Sequence, residues 1–291
     1  MVALWAASIR TNIGWMLVII ALLTSSISVS VYSLIKQKSQ QPSLKGTMIP
    51  ILKVIIGAFT TFYLVKSGFS AVLASGLIGI LGSVLFKRYE VEIFTGSFVG
   101  MSSIVFFNDL GLLFAALIAA VVYLLGKTVF VGIGGKLGSS AFAGTLIMAY
   151  LLGVDPLSLN ILFINTSLPM WYISMTLACG AIASLITYWV SKYWFRGSTV
   201  MGSSVIGIVG YVGSLLIGSM GPLFAGTIYA ATFAGMSQEK VLKNPHFFAI
   251  AGLITAILFL SSSNYLLGLG GKMGMSAFIG VIATLPLIKK T

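Results

Sequence analysis

Apolar runs close to bilayer length follow one another along nearly the whole chain, at 13–35, 50–66, 69–86, 110–126, 130–152, 169–191, 199–217, 221–237, 245–261 and 268–287. A helix of about 20 such residues spans the hydrocarbon core of a bilayer. A shorter run, 93–107, is too brief for a straight crossing unless tilted or partly enclosed by protein, and counting it gives eleven crossings. Only 8% of the residues are charged and 58% are hydrophobic, against about 25% charged in a soluble domain. No soluble core could hide that much apolar surface. The expected fold class is an all-α integral membrane protein, with the lipid bilayer as its first partner.

The basic residues set the expected topology. Alternating the runs from side to side places Lys36, Lys38, Lys45, Lys53, Lys87, Arg88, Lys127, Lys192, Arg196, Lys240, Lys243, Lys289 and Lys290 together, and leaves only Lys66 opposite. Cytoplasmic loops carry such an excess. That pattern makes 93–107 a crossing in net direction, puts the C-terminus in the cytoplasm, and explains the net charge of +12 without nucleic acid. Arg10 followed by Trp15–Leu23 and small residues has some character of a signal peptide. Cleavage there would send the basic segment 36–53 outside, so a retained first helix is expected.

Internal repetition then divides the chain. Gly76-x-x-Gly79-x-x-Gly82-Ser83 recurs as Gly207-x-x-Gly210-x-x-Gly213-Ser214, and Phe98-x-Gly100-Met101-Ser102 recurs as Phe233-x-Gly235-Met236-Ser237. Gly132-x-Gly134-Gly135-Lys136-x-Gly138-x-Ser140-Ala141-Phe142-x-Gly144 returns as Gly268-x-Gly270-Gly271-Lys272-x-Gly274-x-Ser276-Ala277-Phe278-x-Gly280. The spacings share one order, as a duplication requires. The expected layout is an N-terminal helix and basic cytoplasmic loop over 1–49, repeat one over 50–152, a linker over 153–168, and repeat two over 169–291. Five crossings per repeat is an odd number, so the repeats enter the membrane from opposite sides as an inverted-topology pair.

Several motifs are candidates for a solute pathway. The Gly-x-x-Gly-x-x-Gly stripes suit close helix packing. They serve a homo-oligomer and intrachain contacts equally well. Phe98, Gly100, Phe233 and Gly235 fall in short segments beside Gly and Pro clusters, a pointer to broken helices near a binding site. Lys136 and Lys272 follow flexible glycines and precede helices expected to begin near Gly138 and Gly274. Ser139, Ser140 and Ser276 would cap first-turn N–H groups there, and an ammonium beside a helix N-terminus suits an anion or a carbonyl oxygen. Phe142 and Phe278, with Phe98 and Phe233, are candidate constrictions against ordinary core packing.

What is missing narrows the function. Glu90, Glu92, Asp109, Asp155 and Glu239 all fall in or beside loops, and His246 sits at a helix end, so no intramembrane proton relay is expected. Cys179 is a lone small hydrophobe. No catalytic constellation, metal cluster, cofactor motif or nucleotide-binding loop occurs. The sequence thus predicts a non-enzymatic transport protein, a passive channel or facilitator for a small polar solute or monovalent anion, in the plasma (inner) membrane of a prokaryote. The alternatives are a secondary transporter of a small organic anion, sodium-coupled through hydroxyl and carbonyl oxygens, and a scaffold or lipid-handling subunit. The paired five-helix halves resemble the layout of the urea-transporter and ammonium-transporter families. The paired pore histidines of ammonium channels have no counterpart here, so the resemblance implies no site residues.

Overall fold

The computed structural model describes residues 48–154 and 168–288. The expected first helix, the basic segment to residue 47, most of the 153–168 linker and the last three residues lie outside them. The described residues form helices and no strands. Repeat one contains α1 (Met48–Lys66), α2 (Ala71–Leu85), α3 (Glu90–Gly100), α4 (Asp109–Leu125) and α5 (Lys136–Leu151). Repeat two contains α6 (Met170–Tyr193), α7 (Thr199–Ser214), α8 (Gly221–Gly235), the one-turn α9 (Glu239–Leu242), α10 (Pro245–Ser261) and α11 (Lys272–Ile288).

Among the described residues, three helical runs are long and apolar enough to cross a membrane: Met48–Lys66, Met170–Tyr193 and Thr199–Gly235. The last bends at the 3-10 turn Leu215–Met220, where Gly218 leaves helical geometry at φ 66° and ψ −133°. Four more apolar helices, α2, α4, α10 and α11, are shorter. The 93–107 run is helical only to Gly100 and continues as turns to Phe107. At 1.5 Å per residue, the 11 residues of α3 reach about 16 Å, half a hydrocarbon core.

Packing within the two repeats follows one scheme. In repeat one, α1 packs on α2, α3 and α4, while α3 also packs on α2, α4 and α5, and α4 packs on α5. Substituting α6, α7, α8, α10 and α11 in that order reproduces every pairing in repeat two. Between repeats, α2 crosses α7 and α5 crosses α11, and the α2·α8 contact is matched by α3·α7. Small residues make the crossings close. A Cβ on Gly100 would strike the Ala58 carbonyl, and one on Gly235 the Ser184 carbonyl. The glycine stripes serve the same end, since a Cβ on Gly76 would lie 2.8 Å from Ile208 Cγ1 and one on Gly210 2.6 Å from Ile228 Cγ2.

Large apolar side chains crowd the surface while hydroxyls are buried. Leu216, Tyr150 and Val105 are 90%, 81% and 76% exposed, while Thr61, Ser75, Ser97, Ser203, Thr232 and Thr255 are fully buried. Many buried hydroxyls satisfy themselves on the preceding turn, as Thr255 does on the Ala251 carbonyl at 2.7 Å and Thr284 on Gly280 at 2.9 Å. An apolar coat this wide is a liability in water and a solvated surface in lipid.

Candidate functional site

The duplicated motifs turn out to be each other's partners, crosswise between the repeats. After α4 the chain reverses through positive φ at Phe130, Gly132 and Gly135, and after α10 it does so through Leu266, Gly268 and Gly271. Each reversal inserts a glycine against the Phe-x-Gly-Met-Ser end of the opposite repeat. Gly134 N–H donates to Ser237 Oγ at 3.0 Å, and Gly270 N–H donates to Ser102 Oγ at 3.1 Å. Beside them, Gln238 N–H donates to the Gly132 carbonyl and Ser103 N–H to the Gly268 carbonyl, both at 2.8 Å. At the same depth α5 and α11 touch backbone to backbone: a Cβ on Gly138 would lie 2.5 Å from Gly274 Cα, and the converse holds.

These reversals occupy 130–135 and 268–271, the opening residues of the apolar runs 130–152 and 268–287. The helices begin at Lys136 and Lys272, two residues earlier than expected. The shift corrects the roles expected of the serines. Ser139, Ser140 and Ser276 sit in or just past the first turn and donate back to the carbonyls of Gly135, Lys136 and Lys272 at 3.1–3.2 Å. They do not cap free N–H groups, because a hydroxyl four residues inside a helix reaches the carbonyl behind it more easily.

Both lysines reach back to the chain just past the preceding helix. Lys136 Nζ donates to the carbonyls of Lys127 at 3.1 Å and Val129 at 2.5 Å. Lys272 Nζ donates to those of Ser262 and Tyr265. These carbonyls belong to the turns that follow Leu125 and Ser261, where the ammonium donates to chain outside the helix. The repeated lysine thus ties each reversal to the helix before it, and its third N–H stays available.

Two cavities flank this assembly. One, of about 460 Å³, is lined by Ala71, Phe98, Met101, Leu223, Gly226, Phe259, Ser263, Leu266–Met273 and neighbours. The other, of about 560 Å³, is lined by Val91, Phe98, Tyr123, Lys127, Val131–Gly138, Thr199, Phe233, Met236, Gln238 and neighbours. The linings correspond through the duplication: Met101 with Met236, Phe259 with Tyr123, Ser263 with Lys127, and Lys272 with Lys136. Ala71 and Thr199 each open a helix behind a serine cap, Ser70 and Ser198, whose side chain accepts an N–H at 3.2 Å. Phe98 borders both cavities. Its ring lies 4.8 Å from Phe233, with Phe94 and Tyr229 closing on either side at 4.5 and 4.6 Å. Behind the rings, Ser75 Oγ pairs with Ser97 Oγ at 2.8 Å and with Tyr229 OH at 3.1 Å.

Of the residues singled out from the sequence, Lys136, Lys272, Phe98 and Phe233 border these cavities. Ser140, Ser276, Phe142, Phe278, Gly100 and Gly235 are buried in helix crossings, with Phe278 edge-on to Phe130 at 5.1 Å. Glu92 is the residue that sequence reading placed beside a loop and passed over. It lies in the first turn of α3, 5% exposed, and accepts from Tyr123 OH at 3.1 Å with Lys127 Nζ at 3.7 Å. The equivalent positions in repeat two are Thr227, Phe259 and Ser263, so Tyr123 and Lys127 in one cavity wall are backed by a carboxylate that their counterparts lack.

Tyr–carboxylate contacts occupy equivalent ends of α1 and α6. Tyr63 OH donates to Asp109 Oδ2 at 2.8 Å. Tyr188 OH and Lys192 Nζ both donate to Glu239. The Lys192 ammonium, and after it the Tyr188 hydroxyl, hold the Glu239 carboxyl below its ordinary range. A depressed carboxyl stabilises the fold above its unfolded pKa, and that contribution is lost as pH falls through the lower folded value. Acidification below the usual carboxylate range should lower the melting temperature of the wild type slightly more than that of Glu239→Gln. Equal acid sensitivity would remove the tie from the fold's stability. Among the described residues no group of three or more His, Cys, Asp or Glu could hold a metal ion. No family model, curated protein or solved structure matches this chain.

Proposed function

We propose that the chain is a transport protein of eleven membrane crossings, in which two inverted five-helix repeats enclose a path for a small polar solute or monovalent anion. The observation that carries this reading is the pair of cavities built from equivalent residues and separated by one aromatic cluster around Phe98. Inverted repeats meet near the midplane and give each half-site a counterpart on the other face, the arrangement of many translocation paths. The outward apolar surface and the buried hydroxyls suit lipid as solvent. On this reading the host membrane is a prokaryotic plasma membrane with the C-terminus in the cytoplasm.

The Phe98–Phe233 contact favours a second, narrower form of the proposal. A ring shared by both cavities blocks a continuous aqueous column, so passage requires a movement there. Two equivalent halves can exchange roles, closing one cavity as the other opens, which is alternating access. Proteoliposomes challenged in turn with urea, glycerol, formate, acetate, nitrate and chloride should show accelerated shrinkage or swelling for one solute class. The Lys136→Ala/Lys272→Ala variant should lose most of it, a drop of about tenfold for 1.4 kcal/mol. Trans-acceleration by unlabelled solute identifies the carrier form. The absence of both flux above empty liposomes and trans-acceleration, for every solute tested, would contradict transport of this panel.

A further inference from the structure

We infer that the Lys272 cavity takes a small amphipathic organic anion, a carboxylate on a short aliphatic or aromatic body, free in solution rather than part of a lipid. This inference rests on the transport reading and narrows its solute. Among the described residues, Lys272 is the one charged side chain lining that cavity, and no carboxylate lines either of the two. Its ammonium has three donors, two of them held by the Ser262 and Tyr265 carbonyls, which leaves one for a ligand. Gly271, Lys272 and Met273 bring the start of α11 into the same wall, and first-turn N–H groups have no intrahelical acceptor.

The rest of the wall opposes a bare hydrated ion. Leu223, Leu266, Leu267, Met101, Phe98 and Phe259 supply mostly apolar surface, which pays nothing toward stripping water from chloride or formate but gains from covering a hydrocarbon body. On the other side of Phe98, Lys136 meets apolar surface from Val91, Val131, Ile133, Leu137 and Phe233 as well, with Lys127 and Gln238 beside it. An anion with a short apolar body therefore finds the same pairing of ammonium and hydrocarbon at both ends of the proposed path. A cation meets an uncompensated ammonium at each.

Binding is separable from transport and is measured on nanodisc-reconstituted full-length protein with radiolabelled benzoate. Saturable binding is expected, displaced by unlabelled benzoate and hexanoate, with benzamide, hexylammonium and formate weaker by about tenfold or more. Lys272→Gln should weaken benzoate about tenfold and Lys272→Arg should restore it. Leu223→Trp, which leaves the charge in place and fills the apolar wall, should weaken it as well. Benzamide or formate competing as well as hexanoate overturns the inference, as does saturable binding of labelled oleate without binding of benzoate, which would make the occupant a lipid acyl chain. Benzoate binding with no flux of any solute supports the ligand class and overturns the transport reading. Urea or glycerol flux with no benzoate binding does the reverse.

Discussion

Valine in place of Gly135 or Gly271 is expected to eliminate a monodisperse folded protein, while alanine at Gly213 leaves the melting temperature unchanged or slightly raised. Gly135 and Gly271 sit at φ 81° and 86°, where an L side chain costs roughly 1–2 kcal/mol. The space is also taken. A Cβ at Gly135 would strike Phe278 N and the Gly274 carbonyl, and one at Gly271 would strike Phe142 N and the Gly138 carbonyl. Those are backbone atoms of a tight helix crossing and cannot swing aside, which adds overpacking of about 1–3 kcal/mol. The total is a large part of a typical stability of about 5–15 kcal/mol. Gly213 has nothing within 4 Å of its Cβ position, and removing a helical glycine gains about 0.5–1 kcal/mol. Size-exclusion profiles and thermal melts of the three variants settle the matter. Valine at either reversal behaving like alanine at Gly213 would mean that the crosswise docking does not hold the repeats together.

Removing the ring at Phe98 should open the barrier. Phe98→Ala is expected to raise passive solute flux in proteoliposomes by about tenfold or more and to abolish trans-acceleration, since each 1.36 kcal/mol off a barrier is a factor of ten. The ring is 2% exposed, and losing a buried phenylalanine costs about 3–5 kcal/mol in soluble cores. The comparison therefore needs an equally disruptive change elsewhere. Phe248→Ala provides it: that ring is fully buried and stacks on Tyr188 at 4.1 Å, away from both cavities. A leak in Phe98→Ala alone places the barrier at the aromatic cluster. Equal leaks in both variants would reduce the effect to loosened packing.

Much of this architecture is legible in the sequence because it rests on glycine. A position that tolerates no Cβ leaves a mark at one residue, and the paired blocks around Gly135 and Gly271 mark both the duplication and its most crowded contact. The alternation of apolar runs anticipates the helices α1, α2, α4, α6 and α10 to within two or three residues. The first helical residues of α5 and α11 are harder to read, since Gly-x-Gly-Gly fits both a helix in lipid and a reversal. Only the long-range partners, Ser237 for Gly134 and Ser102 for Gly270, decide between them. The role of the lysines is hidden for a similar reason: the carbonyls of a turn beyond a helix carry no sequence signature. Glu92 escaped notice because Lys87, Arg88 and Glu90 make its surroundings look solvated, although α3 starts at Glu90 and carries Glu92 inward under Tyr123.

The measurement that bears most directly on the account is the sidedness of the two cavities. Single cysteines at Ala71 and Thr199, which line one cavity each, placed in a Cys179→Ser background, are exposed in sealed vesicles to a membrane-impermeant maleimide from one side at a time. Ala71→Cys should react only from the external face and Thr199→Cys only from the cytoplasmic face, with Phe98→Ala making each reactive from both. Labelling of both cysteines from the same face would contradict the inverted arrangement and the path built on it.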